Sequence, residues 1–284
     1  MNMTILEPVD FELVSSDAAN ENYEEWSLNK SVIADSFYTY KNRIYKAAST
    51  FNADKTPDVD VRFVDFGATN KYKFIDEFIN TQTENNGALN IVVKPKDNID
   101  IATFLGLEGE SLIIEDSVVP LYFRKSRNWW EYFYAATKYL STINLPVDTR
   151  MQDLSFSITP INGFAKLGML MLGKRRHIGH TLSGAKSGLV DYSRVTKDAW
   201  GNATIIPGKT AKTAECSVVI ETQDIDYIRD FVSKLAGVPT VYLIDDNINK
   251  NIGAFTVYGM LKDFSISTMS QEKSELNLLI EGLI

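Results

Sequence analysis

Short apolar runs separated by hydrophilic turns dominate the chain, and a single stretch carries a clear helical period. The runs Leu89 to Val93, Ile99 to Leu105, Ser111 to Ile114, Val118 to Phe123 and Leu154 to Thr159 are divided by Pro95-Lys96-Asp97-Asn98, Glu108-Gly109-Glu110 and Glu115-Asp116. These dividers have turn chemistry. Short strands at this regular spacing predict an antiparallel β-sandwich or jelly roll over residues 67–173. A second set, Ala203 to Ile206, Cys216 to Ile220, Thr240 to Ile244, Phe255 to Leu261 and Glu275 to Ile280, predicts another β-sandwich over 174–284. Ser187 to Thr196 and Thr204 to Lys212 flank Asp198-Ala199-Trp200-Gly201-Asn202, which predicts a long hairpin. Ile225, Ile228, Phe231, Val232 and Leu235 share one helical face, with Asp224 ahead as N-cap and Gly237 and Pro239 behind as stop signals. One α-helix over 225–236, packed on the second sandwich, follows. Trp129 to Leu140 fits either a helix crossing the first sandwich or an irregular aromatic loop.

Ahead of these lies a small unit, residues 1–66, rich in aromatics and turns. Tyr38 to Ala47 reads as two short strands joined at Lys41-Asn42. So short a unit buries little surface alone and is expected to lean on its neighbour. The prediction is a mainly β protein in three consecutive parts, 1–66, 67–173 and 174–284, disordered only in its first few residues.

A chain of 284 residues suits two domains plus a small module, and its 44% apolar and 23% charged residues are ordinary for folded protein. The net charge of −8 lacks the basic footprint of a nucleic-acid binder. The charge is uneven: residues 1–60 hold eleven acids against five bases, and 174–215 hold eight bases against three acids. Such asymmetry either orients subunits that dock opposite-sign faces or marks two differently solvated surfaces. The single cysteine, Cys216, sits in an apolar run and is expected to be a buried, inert thiol. The N-terminus has no basic stretch leading into an apolar core, and no run approaches the ~18 apolar residues of a membrane span. Assembly in a cytoplasm without membrane insertion is the expectation.

Candidate chemistry is sparse. The two histidines, His177 and His180, have a spacing that suits one helical face, but Gly173, Lys174, Arg175, Arg176 and Gly179 around them argue for a loop. A zinc site needs three or four convergent ligands. The run Asp245-Asp246-Asn247-Ile248-Asn249-Lys250-Asn251 resembles the start of a calcium loop, yet Lys250 stands where glycine is required and Thr256 where glutamate is. No phosphate-binding glycine loop follows a strand, and no carboxylate pair stands in an apolar setting. No metal, no cofactor and no catalytic activity are expected. Trp26, Tyr38, Tyr40 and Tyr45 either stack on sugar rings or, the reading favoured here, form the core of a module with little else to bury. Trp129, Trp130, Tyr132, Phe133 and Tyr134 form a second cluster, expected at a domain or subunit seam.

Several phrases resemble known proteins. Trp26, Tyr40-Lys41-Asn42-Arg43-Ile44-Tyr45 and Phe63-Val64-Asp65-Phe66-Gly67 resemble small chitin-binding-type modules, with Phe63 where a second tryptophan is common. Gly67-Ala68-Thr69-Asn70-Lys71-Tyr72-Lys73-Phe74-Ile75-Asp76, with Thr81-Gln82-Thr83, is similar to the opening of a galactose-binding-like β-sandwich in a family of phage virion proteins. Trp129-Trp130-Glu131-Tyr132-Phe133, Asp191-Tyr192-Ser193-Arg194, Trp200-Gly201-Asn202, Tyr258 to Phe264 and Ile280-Glu281-Gly282-Leu283 are similar to phrases in siphophage and myophage tail proteins, carbohydrate-binding or minor tail proteins among them. The resemblance runs from about residue 26 to the end. It implies a structural virion protein of the tail tip or baseplate, similar to distal tail proteins, assembled in the host cytoplasm. Its partners would be copies of itself in a ring or hub, and the tube, hub and tape-measure proteins. The alternative implied is an adsorption protein that contacts host surface glycans. In a ring, head-to-tail interfaces would set Lys174, Arg175, Arg176 and Arg194 against an acidic neighbour, with Trp200 reaching across the seam.

Overall fold

The computed structural model describes residues 1–115, 117–123, 128–134, 137–149, 152–246 and 253–284. The chain opens with β1 (Asn2–Pro8) and β2 (Phe11–Ser16), then enters the small module with β3 (Phe37–Tyr40), β4 (Arg43–Ala47) and β5 (Phe63–Ala68). There follow β6 (Leu89–Pro95), β7 (Ile99–Leu105), β8 (Ser111–Ile114), β9 (Ser117–Pro120), helix α1 (Trp129–Tyr134), β10 (Thr142–Thr149) and β11 (Leu154–Ile158). The remainder is β12 (Met169–Thr181), β13 (Lys186–Asp191), β14 (Arg194–Lys197), β15 (Ala203–Ile206), β16 (Thr210–Glu221), helix α2 (Ile225–Lys234), β17 (Thr240–Leu243), β18 (Thr256–Thr268) and β19 (Lys273–Gly282). The protein is predominantly antiparallel β-sheet with a few short helices.

The largest sheet has nine strands in the order β10-β7-β12-β1-β17-β18-β19-β16-β13, and a further pairing of β12 with β16 closes six of them into a ring. Closure removes the exposed edges that six open strands would present. Inside the ring lie Met3, Ile5, Ile178, Val218, Tyr242, Val257 and Leu276, with Ile228, Phe231, Val232 and Leu235 of α2 packed on them. A second sheet, β9-β8-β11-β6-β2, faces the other end of the large sheet. Between them Ile91, Leu112 and Phe156 meet Phe104, Ile143 and Leu172 in one core. Strand β7 is buried on both faces, since Phe104 points into this core and Ile101 and Leu105 into another with Leu6 and Val241. That explains its unbroken apolar character.

Local signals hold where they are strong. Lys41 and Asn42 both adopt positive φ (45° and 62°), the mirror-image turn that matches strand twist in a two-residue hairpin. Helix α2 ends near Gly237 (φ 80°), which takes the left-handed conformation a stop requires. Asp224 does not cap it by side chain, because a preceding 3-10 turn over Thr222–Asp224 already gives that residue helical geometry. Cys216 is buried, and burial pushes its thiol up to about 11.

Two expectations are corrected by long-range pairing. The first residues are not disordered: β1 lies between β12 and β17, with Met3, Ile5 and Leu6 fully buried. The N-terminal strands also reach beyond the first 66 residues, since β1 belongs to the large sheet and β2 pairs with β6. The stretch around Lys174 is no loop but the middle of the thirteen-residue strand β12. Its cations are tolerated there because each faces an acid: Lys174 meets Asp97 of the β6–β7 turn (2.5 Å), Arg175 meets Asp100 of β7 (3.7 Å) and Arg176 meets Glu7 of β1 (2.7 Å).

Candidate functional site

A two-stage hairpin arm stands apart from the packed cores. β13 pairs with the start of β16 from Lys186↔Glu215 to Asp191↔Thr210, and β14 pairs with β15 from Arg194↔Ile206 to Lys197↔Ala203. Every residue of β13, β14 and β15 is exposed. The β-branched residues Val195, Thr196, Thr204, Ile205 and Ile206 suit extended backbone, so the ribbon forms despite lacking a core beneath it. At its tip the Asp198 carboxylate accepts the backbone N–H of Trp200 (3.0 Å) and Asn202 (2.8 Å) and the side-chain amide of Asn202 (2.8 Å). These bonds hold its carboxyl below the usual range. Gly201 supplies the positive φ (87°) the turn needs. The result is a hydrogen-bonded loop presenting Trp200, 88% exposed, at the end of a ribbon that also exposes Val195, Ile205 and Ile206.

A second apolar projection is α1. The Asn128 side-chain oxygen accepts the Glu131 N–H (2.9 Å), which caps this short helix. Rings four residues apart meet, Trp129 with Phe133 (5.3 Å) and Trp130 with Tyr134 (5.0 Å). Yet both tryptophans remain 64% exposed, and Tyr132, Phe133 and Tyr134 are exposed as well. The cluster expected at a seam is therefore covered by nothing within the described chain. Contiguous aromatic exposure of this kind marks an interaction surface more often than it marks a bare one.

The residues singled out from sequence do not form one site. Arg194 and Trp200 lie on the arm, whereas Lys174, Arg175 and Arg176 lie on β12 with their charges compensated inside the chain. In the N-terminal module Tyr38 (2% exposed) and Tyr45 (5%) are core residues with Val32, Ala47, Ala53 and Phe63, while Trp26 and Tyr40 are partly buried against them. Arg62 braces this module, since its guanidinium lies 3.9 Å from the Phe51 ring and hydrogen-bonds Asp60, holding the Asp60 carboxyl below its usual range. The opposite face carries an aromatic ladder that the sequence reading missed. Tyr23 stacks on Phe37 (5.1 Å), and Phe37 meets Phe66 edge-on (5.2 Å). Strand alternation held the signal, because Phe37 must face away from Tyr38.

His177 and His180 are strand residues, not helical ones. A bulge opposite Met3 and Thr4 makes Ile178 the extra residue, which places both rings on one face with centroids 6.0 Å apart. His180 Nδ1 lies 2.8 Å from the Asn2 side-chain oxygen. Among the described residues no three acids, histidines or cysteines gather to hold a metal, and no helix is long and apolar enough to cross a membrane. Most of the calcium-loop-like run, from Asn247 to Asn251, lies outside the described residues. No family model, curated protein or solved structure matches the chain.

Proposed function

We propose that this chain is a structural subunit of a bacteriophage tail tip or baseplate, self-assembling into a ring or hub in the manner of distal tail proteins. In this reading the two sheets that share the Phe104–Phe156 core make a β-sandwich, the closed ring with α2 is the assembly domain, and the exposed arm spans to the next copy. The arm is the observation that carries it. A two-stranded ribbon with no core is marginal by itself, and one that displays Trp200, Val195 and Ile205 gains most by lying on another surface. Arg194 and Lys197 add positive charge to that ribbon, complementary to the acidic first sixty residues of a neighbour. The α1 aromatics would serve contacts to adjoining tail proteins. The output is geometric, with no chemical step assigned.

The test is the mass of the purified full-length chain in solution. Wild-type protein is expected to form a closed oligomer by analytical ultracentrifugation, with rings visible by electron microscopy. The triple change Val195→Ser, Trp200→Ser, Ile205→Ser is expected to leave the circular dichroism spectrum unchanged and yield monomer. A wild-type monomer at all soluble concentrations, or an oligomer indifferent to these changes, would sink the proposal.

A second reading, an adsorption module for host surface glycans, is favoured by the Tyr23–Phe37–Phe66 ladder, whose exposed outer rings Tyr23 and Phe66 suit the C–H faces of sugars. A glycan array is expected to show binding that Phe37→Ala and Phe66→Ala abolish. Binding that survives both changes would exclude the ladder.

A further inference from the structure

At the seam where β12 meets β16, a cavity of about 340 Å³ opens to solvent. Its polar side chains are His177 and His180 of β12, Glu221 at the end of β16, Asp224 of the 3-10 turn that follows, and Lys273 at the start of β19. The rest of the lining is aliphatic or glycine. His177 and His180 are the two histidines of the whole chain. On a regular strand, residues three apart point to opposite faces. The bulge at Ile178 adds one residue between them and brings both rings to the same face, with centroids 6.0 Å apart and planes inclined by 68°.

That spacing suits two imidazoles on one ion. A ring nitrogen binds zinc at ~2.0–2.1 Å, which places the two ring centroids roughly 5–6 Å apart, depending on the angle at the metal. The observed separation lies at the wide end of this range, and inclined rings can aim two lone pairs at one point where stacked rings cannot. His180 is also held in the right tautomer. Its Nδ1 lies 2.8 Å from the Asn2 side-chain oxygen, which only accepts, so Nδ1 carries the hydrogen and Nε2 keeps its lone pair. A ligating histidine steadied through its other nitrogen by a carbonyl is a recurring arrangement around bound metals. The charge in the lining has the matching sign, with two acids against one lysine. No third acid, histidine or cysteine joins the pair among the described residues, so water fills the ion's remaining positions.

We infer that His177 and His180 together bind one divalent transition-metal ion of the zinc, copper or nickel type, with Glu221 and Asp224 supplying negative charge around its water ligands. Imidazole nitrogen selects these ions over magnesium and calcium, which take oxygen donors. An anion would meet the two carboxylates instead and is disfavoured. The site faces solvent, so an ion enters without any part of the fold opening. Because β12 carries both ligands and β16 carries the nearer acid, a bound ion favours the closed seam between them. The site involves a single copy of the chain, so it stands or falls independently of the tail-protein reading.

The experiment is isothermal titration calorimetry of the full-length chain, carrying no affinity tag, with zinc chloride and separately with magnesium chloride, in a buffer that does not bind metals. Saturable binding at one site per chain is expected for zinc and none for magnesium. His177→Ala and His180→Ala are each expected to weaken zinc binding by about tenfold or more, the effect of losing one of two protein ligands. Nuclear magnetic resonance decides the matter should a variant fail to fold. With two histidines in the chain, the two imidazole Cε1–H signals report the site directly, and both are expected to shift together and saturate at one equivalent of zinc. Absence of saturable zinc binding, equal binding of magnesium, unchanged affinity in either histidine variant, or movement of one ring alone overturns the assignment.

Discussion

Phe104→Ala is expected to lower the free energy of unfolding by about 3–5 kcal/mol, the range for deleting a buried phenylalanine. The value belongs at the upper end for three reasons. Phe104 is fully buried, and its ring meets Phe156 of the facing sheet at 5.1 Å and 76°, an edge-to-face pair worth about 0.5–1.5 kcal/mol beyond its area. Its strand, β7, is buried on both faces and pairs with β10 on one side and β12 on the other, so the backbone has little freedom to collapse into the void. Ile143 on β10 and Leu172 on β12 belong to the same buried core, so the side chains around the void are themselves held on paired strands. Equilibrium denaturation in guanidinium chloride measures it, and Phe104→Leu is expected to recover part of the loss. A cost below about 1 kcal/mol would mean that the two sheets do not share this core.

The second large effect is expected from Gly179→Val. Gly179 lies where β12 meets β16, the pairing His180↔Val219 and Thr181↔Val218 that closes the large sheet on itself. A Cβ there would sit 2.3 Å from the Val219 carbonyl oxygen, with Ile220 Cγ2 and Val218 Cγ1 each at 3.1 Å. The obstructing atom is backbone held in a ladder, so no side-chain rotation relieves the overlap. The seam has to open, and a loss of about 3 kcal/mol or more is expected, at or beyond the upper end for overpacked cores. Hydrogen exchange would localise it: amides of 178–181 and 217–220 are expected to lose protection first. Gly253→Ala is the control, since a Cβ there meets nothing within 4 Å, and a change within about 0.5 kcal/mol is expected. Equal protection at the seam in wild type and Gly179→Val would show that the ring is open in solution.

Features determined by neighbours in the sequence were readable from it. Strand β7 over Ile99–Leu105, strand β8 over Ser111–Ile114 and strand β15 over Ala203–Ile206 fall where the apolar runs place them. The Lys41-Asn42 turn, the long hairpin around Trp200 and helix α2 follow equally from turn chemistry and periodicity within a dozen residues. Their physical cause is local: backbone dihedral preference and the spacing of side chains on one face.

What the tertiary structure alone decided involves partners far apart in the chain. β1 is a central strand because β12 and β17 lie on either side of it, more than 160 residues away. The triplet Lys174, Arg175 and Arg176 looked like a loop or a docking face until β1, the β6–β7 turn and β7 brought Glu7, Asp97 and Asp100 beside it. Tyr38 went inward and Phe37 outward once the module's sheet chose which face to bury. The α1 rings remained exposed, which their aromatic character alone did not reveal. Alternation tells which residues share a face but not whether that face meets water or protein, and the answer depends on pairings whose register no short window of sequence contains.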